Sequence, residues 1–236
     1  MIPAKKNKII GKVFSIYHDR LLKKHFYEIH LLGEENYKGI DPALPTILYA
    51  NHSNWWDGFI SYYLTTKYFR ADDYLMMDIR QMKKYRFFKY VGVFSVDRDN
   101  PREGVESVRY AAQLIKGTAR HLWIYPQGIM KPQDKRPLVF YSGISHIAEK
   151  LGRVNLLPVC FRYEFMMEQR PEVFIKIGEP EIISGSVERE LTEYLQNKFT
   201  ILLDELKDKV TGGNTEGFTT IFTGISSRNK TVDRFY

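Results

Sequence analysis

Short apolar runs alternate with longer amphipathic stretches between residues 26 and 210, and this alternation limits the possible folds most strongly. The apolar runs that predict strands are 26–32, 46–50, 74–77, 93–96, 121–125, 154–163 and 173–177. The stretches that predict helices are 59–69, 101–116, 141–151 and 187–210. Such alternation is typical of α/β proteins, so we expect a mostly parallel central sheet flanked by helices.

The two ends of the chain differ in composition from this middle part. Residues 1–25 predict an amphipathic basic helix, because 5–24 contain seven Lys or Arg residues and one acid among apolar residues at roughly helical spacing. We expect residues 26–210 to form one domain and the polar segment 211–236 to be a tail, poorly ordered unless it docks. The residues expected to form the core face of the last helix are Leu191, Leu195, Phe199, Ile201, Leu202 and Leu206.

Composition narrows the classes of partner and site. The 236 residues are 44% hydrophobic and carry a net charge of +7, which suits an anionic partner: a membrane surface, a phosphate-rich cosubstrate or nucleic acid. The single cysteine, Cys160, excludes an internal disulfide framework and a cysteine-rich metal site. No apolar run is long enough for a transmembrane helix, and the N-terminal residues do not have the pattern of a secretion signal.

The strongest candidate for chemistry is His52, which follows the apolar run 46–50, together with Asp57 five positions later. A neutral imidazole can take a proton from a hydroxyl, and a carboxylate behind it fixes the tautomer. Within a regular helix the two side chains would point about 140° apart. They can therefore meet only if His52 precedes the helix and Asp57 lies in its first turns. Three residues suited to cap that helix are Asn51, Ser53 and Asn54.

Three later stretches extend the pattern. They are 92–98 (Gly-Val-Phe-Ser-Val-Asp-Arg), 125–128 (Tyr-Pro-Gln-Gly) and 157–159 (Leu-Pro-Val). With His52…Asp57, in this order, the sequence resembles the four motif blocks of the glycerolipid (lysophosphatidic acid) acyltransferase family over residues 30–180. The resemblance implies that Arg98 holds the acceptor phosphate. The residues that it places at the substrate are Arg98, Tyr125, Gln127, Gly128 and Lys131.

The resemblance also implies a reaction. His52 would act as general base on an acceptor hydroxyl, Asp57 would orient it, and the hydroxyl oxygen would attack the thioester of acyl-CoA or acyl carrier protein, with no further cofactor. Backbone N–H groups near 125–128 are our expected oxyanion donors. Ser53 lacks the glycine-flanked elbow of hydrolase nucleophiles, and Cys160 lies in an apolar strand, so neither is expected to form an acyl-enzyme.

Two departures from the family pattern leave the acceptor open. The third block usually has a glutamate where this chain has Gln127, and an arginine where it has Met130, with Lys131 one position later. A lysine grips phosphate less firmly than the bidentate fork of arginine. We therefore expect either a lysophospholipid such as 1-acylglycerol-3-phosphate or a non-phosphate alcohol, for example a sugar hydroxyl on a glycolipid or carotenoid.

The segment 80–90 interleaves basic and aromatic residues without an acid. Its expected contacts, with a membrane or with CoA phosphates, are Lys83, Lys84, Arg86 and Lys89. The same composition can bind single-stranded nucleic acid, which we do not expect here because no nucleic-acid fold signature accompanies it. The expected location is cytoplasmic, peripheral at the inner face of the membrane. The remaining alternative to an enzyme is a basic membrane-surface module without catalytic activity.

The histidines do not imply a metal requirement. The chain has six, and their spacing predicts no paired metal ligands supported by carboxylates. No metal is therefore expected at the site.

Overall fold

The structure is a computed structural model that describes residues 1–184 and 190–226. The strands are β1 Glu28–Leu32, β2 Thr46–Ala50, β3 Asp73–Asp78, β4 Val93–Val96, β5 His121–Ile124, β6 Arg153–Glu164, β7 Glu172–Ile177, β8 Glu181–Ser184 and β9 Thr219–Thr223. The α-helices are α1 Lys8–His25, α2 Glu34–Lys38, α3 Asp57–Tyr63, α4 Ile79–Lys84, α5 Pro101–Ile115, α6 Gly143–Leu151 and α7 Leu191–Thr211. A π-helix, Leu64–Phe69, continues α3, and a 3₁₀-helix, Arg86–Val91, follows α4.

Within the described residues, nine strands form one mixed sheet in the order β4-β3-β5-β2-β6-β7-β1-β9, with β8 paired to β6. The five neighbouring strands β4, β3, β5, β2 and β6 are parallel to one another, and β1 is parallel to β7. The pairs β6–β7, β6–β8 and β1–β9 are antiparallel. The predicted α/β class with a mostly parallel central sheet is confirmed. It places the carboxyl ends of β2, β3, β4 and β5 along one edge, where ligands bind in open α/β sheets.

Each face of the sheet is covered by a different apolar layer. Ile47 and Tyr49 of β2 face the side covered by α5, α6 and α7. Leu48 and Ala50 face the side covered by α1 and α3. Every residue of β2 is buried, which explains why the central strand reads as a continuous apolar run rather than an alternating one.

The last helix and the C-terminal segment differ from the sequence expectations. Ile201 is 62% exposed, and Leu203 is buried in its place, because the buried positions of α7 follow helical steps of three and four from Leu195. The start of the predicted helix, 187–189, lies outside the described residues. The predicted tail contains β9, which docks on β1; its residues 227–236 are not described. The segment 33–45, which separates the first two predicted strands, contains α2.

The N-terminal helix packs on the domain with one side and exposes the other. Asn7 caps α1 by accepting hydrogen bonds from the N–H groups of Ile9 and Ile10. The buried side of the helix consists of Phe14, His18 and Leu22. Across the described ranges, no helix combines the length and apolar character needed to span a bilayer.

Candidate active site

His52 and Asp57 form a hydrogen-bonded pair at the carboxyl end of β2. His52 lies in the loop after β2, and Asp57 is the first residue of α3, which is the placement that their spacing requires. The Nδ1 atom of His52 lies 2.8 Å from Oδ2 of Asp57. A carboxylate accepts a hydrogen bond from Nδ1–H, so Nε2 of the neutral ring remains as the basic nitrogen.

The carboxylate of Asp57 is fixed by three further donors. Its Oδ2 accepts the backbone N–H groups of Ser53 at 2.8 Å and Asn54 at 2.9 Å. Its Oδ1 accepts the hydroxyl of Tyr163 at 2.7 Å. The N-cap of α3 is Trp56, which makes no side-chain cap bond, rather than the expected Asn51, Ser53 or Asn54. The side chain of Asn54 accepts the N–H of Trp56 at 3.2 Å just before the helix. The carboxylate of Asp57 accepts N–H groups of the preceding loop, and these bonds fix its orientation toward His52.

The loop after β5 holds the main chain and the ring of His52. The amide oxygen Oε1 of Gln127 accepts the N–H of His52 at 2.8 Å, and the N–H of Lys131 donates to the carbonyl of His52 at 2.8 Å. The ring of Tyr125 stacks on the imidazole with centroids 4.6 Å apart, and its hydroxyl is hydrogen-bonded to Ser61 at 2.7 Å. Burial raises the pKa of Tyr125 well above its usual value, so the ring stays neutral.

Arg98 follows the carboxyl end of β4 and lines the same cavity as His52. Its Nη2 donates to Oδ2 of Asp78 at 3.0 Å, and its guanidinium lies 5.9 Å from the ring centroid of Tyr141. Burial favours the neutral form of Asp78, but hydrogen bonds from Arg80 and Arg98 outweigh it and lower the pKa of this carboxyl. The Nε atom of Arg98 is buried without a hydrogen-bond partner, while the side chain as a whole is 21% exposed and lines the cavity.

Gly128 makes room for this guanidinium. It has a φ of +69°, and a Cβ there would collide with Arg98 and lie 2.9 Å from the ring of Tyr141. Its N–H donates to the carbonyl of Tyr125 at 2.9 Å within a turn. That N–H is therefore engaged, which removes it from the oxyanion donors expected in this loop.

A cavity of about 580 Å³ opens at this edge of the sheet, and both His52 and Arg98 line it. On one face of the sheet its apolar walls come from Phe59, Leu75 and Phe88. On the other face they come from α5 and α6, through Val108 and Ile147. The cavity therefore offers apolar space on both sides of a basic nitrogen and a guanidinium.

The remaining predicted site residues lie elsewhere. Lys83, Lys84 and Arg86 are exposed, Lys89 is half-buried, and none of the four lines the cavity. The side chain of Lys131 is exposed, and Gln127 is buried behind His52 rather than in the cavity wall.

Pro158, the proline of the fourth block, and Cys160 both lie in β6. Burial raises the pKa of the Cys160 thiol well above its usual value, which makes it inert.

Two site residues were not found from the sequence. Asp78 ends the apolar run of β3, and an acid at the end of a predicted strand is a usable signal for a partner of Arg98. Tyr163 is brought to Asp57 from β6, more than a hundred residues along the chain. No local pattern indicates that contact, because it depends on the pairing of β2 with β6.

Away from the cavity, the structure places one histidine, His30, between two carboxylates. Nε2 of His30 lies 2.8 Å from Glu172 and 3.6 Å from Glu28, so these three residues could hold a metal ion. Glu172 comes from β7, and the spacing of residues along the chain does not show that β7 pairs with β1. Nδ1 of His30 is also hydrogen-bonded, to Thr220 at 3.1 Å. The group lies on β1 and β7, and the cavity does not reach it.

Comparisons with known proteins match the chain to a family and its fold to a solved structure. The acyltransferase family model matches residues 29–162. The fold is similar to the crystal structure of the 1-acyl-sn-glycerophosphate (LPA) acyltransferase PlsC from Thermotoga maritima, with a TM-score of 0.57 and 22% identity over 85% of this chain and 81% of that chain. A comparison with curated protein sequences gave no significant match.

Proposed function

The chain belongs to the acyltransferase family, and on that premise we propose that it transfers a fatty acyl group from a thioester to a hydroxyl of a lysophospholipid such as 1-acylglycerol-3-phosphate. The observation that carries the proposal is the His52–Asp57 pair at 2.8 Å, which faces the same cavity as the guanidinium of Arg98. The pair supplies a base for the hydroxyl, and the guanidinium supplies a counter-charge for the phosphate.

In the proposed mechanism, Nε2 of His52 removes the proton of the acceptor hydroxyl as its oxygen attacks the thioester carbonyl. Asp57 stabilises the imidazolium that forms and holds the ring in the productive tautomer. The thiolate of the donor then leaves and takes up a proton, for which protonated His52 is the nearest source. One tetrahedral intermediate connects substrates and products, and the ring returns to its neutral form.

The donor would be acyl-CoA or acyl carrier protein, which serves as a cosubstrate with no further cofactor. Direct transfer is supported by the burial of Cys160 and by the position of Ser53, whose N–H serves Asp57. Of the cations in the segment 83–89, Lys83 and Lys84 end α4, and Arg86 and Lys89 lie in the 3₁₀-helix that contributes Phe88 to the cavity wall. They are placed to meet either the phosphates of the donor or an anionic membrane.

Arg98 is our proposed phosphate ligand, because its side chain lines the cavity and is 21% exposed. We expect Arg98→Ala to raise KM for 1-acylglycerol-3-phosphate by roughly 10- to 100-fold, which is the value of hydrogen bonds to a charged group. Steady-state kinetics with this acceptor and with uncharged monoacylglycerol measures the effect. The matched control is Arg80→Ala, because Arg80 also pairs with Asp78 but is absent from the cavity wall. An equal rise of KM for the uncharged acceptor would contradict the assignment.

A second candidate acceptor is an uncharged lipid alcohol such as a sugar hydroxyl on a glycolipid or carotenoid. It is favoured by Met130, which lines the cavity with an apolar side chain, while the neighbouring Lys131 points its charge into solvent. Assaying both acceptor classes with one acyl-CoA decides between them. Turnover with the phosphate-bearing acceptor alone excludes the sugar alcohol.

We further propose that α1 contacts an anionic membrane as a peripheral anchor, with no role for nucleic acid. The outward side of α1 exposes Ile9 by 76% and Val13 by 64%, and the helix carries lysines on either side of them. Apolar residues exposed between basic ones are typical of helices that lie in a lipid interface. The inward side is part of the domain core, so deleting the helix would test folding rather than binding.

We expect the double substitution Ile9→Ser and Val13→Ser to weaken binding to anionic vesicles by at least about tenfold, because two side chains lose their burial in lipid. Co-sedimentation with phosphatidylglycerol vesicles measures the effect. The control is Ile201→Ser, since Ile201 is 62% exposed on α7. Equal binding by the double variant and the control would exclude α1 as the anchor.

A further inference from the structure

One arm of the cavity follows β3 from the catalytic edge to the opposite end of that strand. Asp78 lines the cavity at the carboxyl end of β3, and Asp73 lines it at the first residue. Five residue steps of a strand span about 16 Å. Apolar side chains from α3, β3 and the 3₁₀-helix form the walls between these two points: Phe59, Leu75, Phe88 and Val91. An apolar arm of this length suits an alkyl chain.

The N-terminal segment pairs with the main chain next to the far end of this arm. The N–H of Lys5 donates to the carbonyl of Lys89 at 2.8 Å, and that of Asn7 donates to the carbonyl of Tyr90 at 2.9 Å. Lys6 between them forms an ion pair with Asp72 at 2.5 Å. The far end of the arm therefore has a buried carboxyl, that of Asp73, with the ammonium group of Lys6 beside it.

Two polar side chains line the arm at this end. The carboxyl of Asp73 is only 8% exposed, and its nearest cation, Nζ of Lys6, is 3.9 Å away and beyond hydrogen-bond distance. Burial raises the pKa of Asp73 to about 7, although Lys6 acts in the opposite direction. Burial, reinforced by the charge of Asp73, raises the pKa of Tyr62 to about 12, so its hydroxyl remains a donor.

A plain methyl terminus is a poor neighbour for these groups. It would exclude water from a carboxyl and a phenol without offering a hydrogen bond, and unsatisfied buried polar groups are costly. A hydroxyl could instead donate to the Asp73 carboxyl and accept from the Tyr62 hydroxyl. A polar end also contributes nothing to binding an all-apolar chain, which the walls alone would hold.

Building on the proposed acyl transfer, we propose that the far end of this arm is a subsite for a hydroxyl group carried on the distal part of the acyl chain, with Asp73 and Tyr62 as its hydrogen-bonding partners. These two residues then determine specificity and take no part in the chemical step. Their distance from His52 along β3 explains why the reaction itself does not need them.

The test compares two acyl-CoA donors of equal chain length, one plain and one hydroxylated near its end, with the purified full chain and one acceptor. The wild type is expected to favour the hydroxylated donor in kcat/KM by roughly tenfold, the value of one or two hydrogen bonds. Asp73→Leu is expected to abolish this preference while the plain donor is still used. Tyr62→Phe, which removes one hydroxyl, is expected to reduce it severalfold, and this variant keeps the test valid if Asp73→Leu does not fold.

The matched control is Tyr63→Phe, because Tyr63 is the next residue of α3, donates to the carbonyl of Ile221 at 2.6 Å and does not line the cavity. It should retain the wild-type preference. Equal use of both donors by the wild type, or a preference unchanged in both the Asp73 and Tyr62 variants, overturns the subsite. A change only in the preferred chain length also overturns it. Absence of transfer from every donor would instead contradict the proposed function.

Discussion

Replacement of His52 by alanine is expected to lower kcat for acyl transfer by at least about a thousandfold, because the acceptor hydroxyl then loses the base positioned for it. The folded state should be little affected. The backbone contacts of His52 with Gln127 and Lys131 do not involve the ring, and the side chain is 24% exposed. Acylated product formed from labelled acyl-CoA, quantified by mass spectrometry, measures the loss.

The control for this variant is His25→Ala, an equivalent truncation at an exposed histidine at the end of α1. It should retain near wild-type turnover with detergent-dispersed substrate. The same comparison separates the enzyme from a membrane-binding module without catalysis. Loss of transfer with unchanged vesicle binding identifies His52 as a catalytic residue, whereas full activity of His52→Ala would exclude it from the chemistry.

Asp57→Asn is expected to reduce kcat by roughly 10³- to 10⁴-fold through the tautomer of His52. An amide nitrogen facing Nδ1 would donate to it, which moves the ring proton to Nε2 and removes the base. The variant should also lose about 1–3 kcal/mol of unfolding free energy, because one amide oxygen cannot accept all four donors that now reach the carboxylate. Kinetics and urea unfolding measure the two effects separately.

Tyr163→Phe serves as the companion variant to Asp57→Asn. It removes the donor to Oδ1 but leaves the contact between His52 and Oδ2 in place. We expect a small loss of stability and a loss of activity of less than about tenfold. If Tyr163→Phe were as inactive as Asp57→Asn, the activity loss would reflect the position of the carboxylate rather than the tautomer of His52.

The sequence was sufficient for the sheet class and for the central pair, for a physical reason. Five residues across a strand–helix junction can bring His52 and Asp57 together in only one way, so local geometry determines the contact. The strand runs of the parallel part are mostly apolar and could be identified directly. In contrast, β9 was missed because its burial pattern is mostly exposed, and only its pairing with β1 makes it a strand.

The role of the altered third block depends on contacts that the sequence alone does not define. Gln127 was expected at the substrate, but its side chain accepts the backbone N–H of His52. An amide oxygen can accept that bond as a carboxylate oxygen can, so the exchange of glutamate for glutamine keeps the contact. The ion-pair partner of Arg98 is also not defined by the sequence alone. It is Asp78 of the neighbouring strand β3, not Asp97 or Asp99, which adjoin Arg98 in the chain.

In the proposed mechanism, His52 and Asp57 act as one unit on the acceptor hydroxyl. A double-mutant cycle on kcat/KM with His52→Ala, Asp57→Asn and the combined variant tests it most directly, because residues that act together lose activity non-additively. We predict that the combined variant is within about threefold of His52→Ala alone. Losses that multiply, so that the combined variant is slower by the product of the two single effects, would contradict the claim.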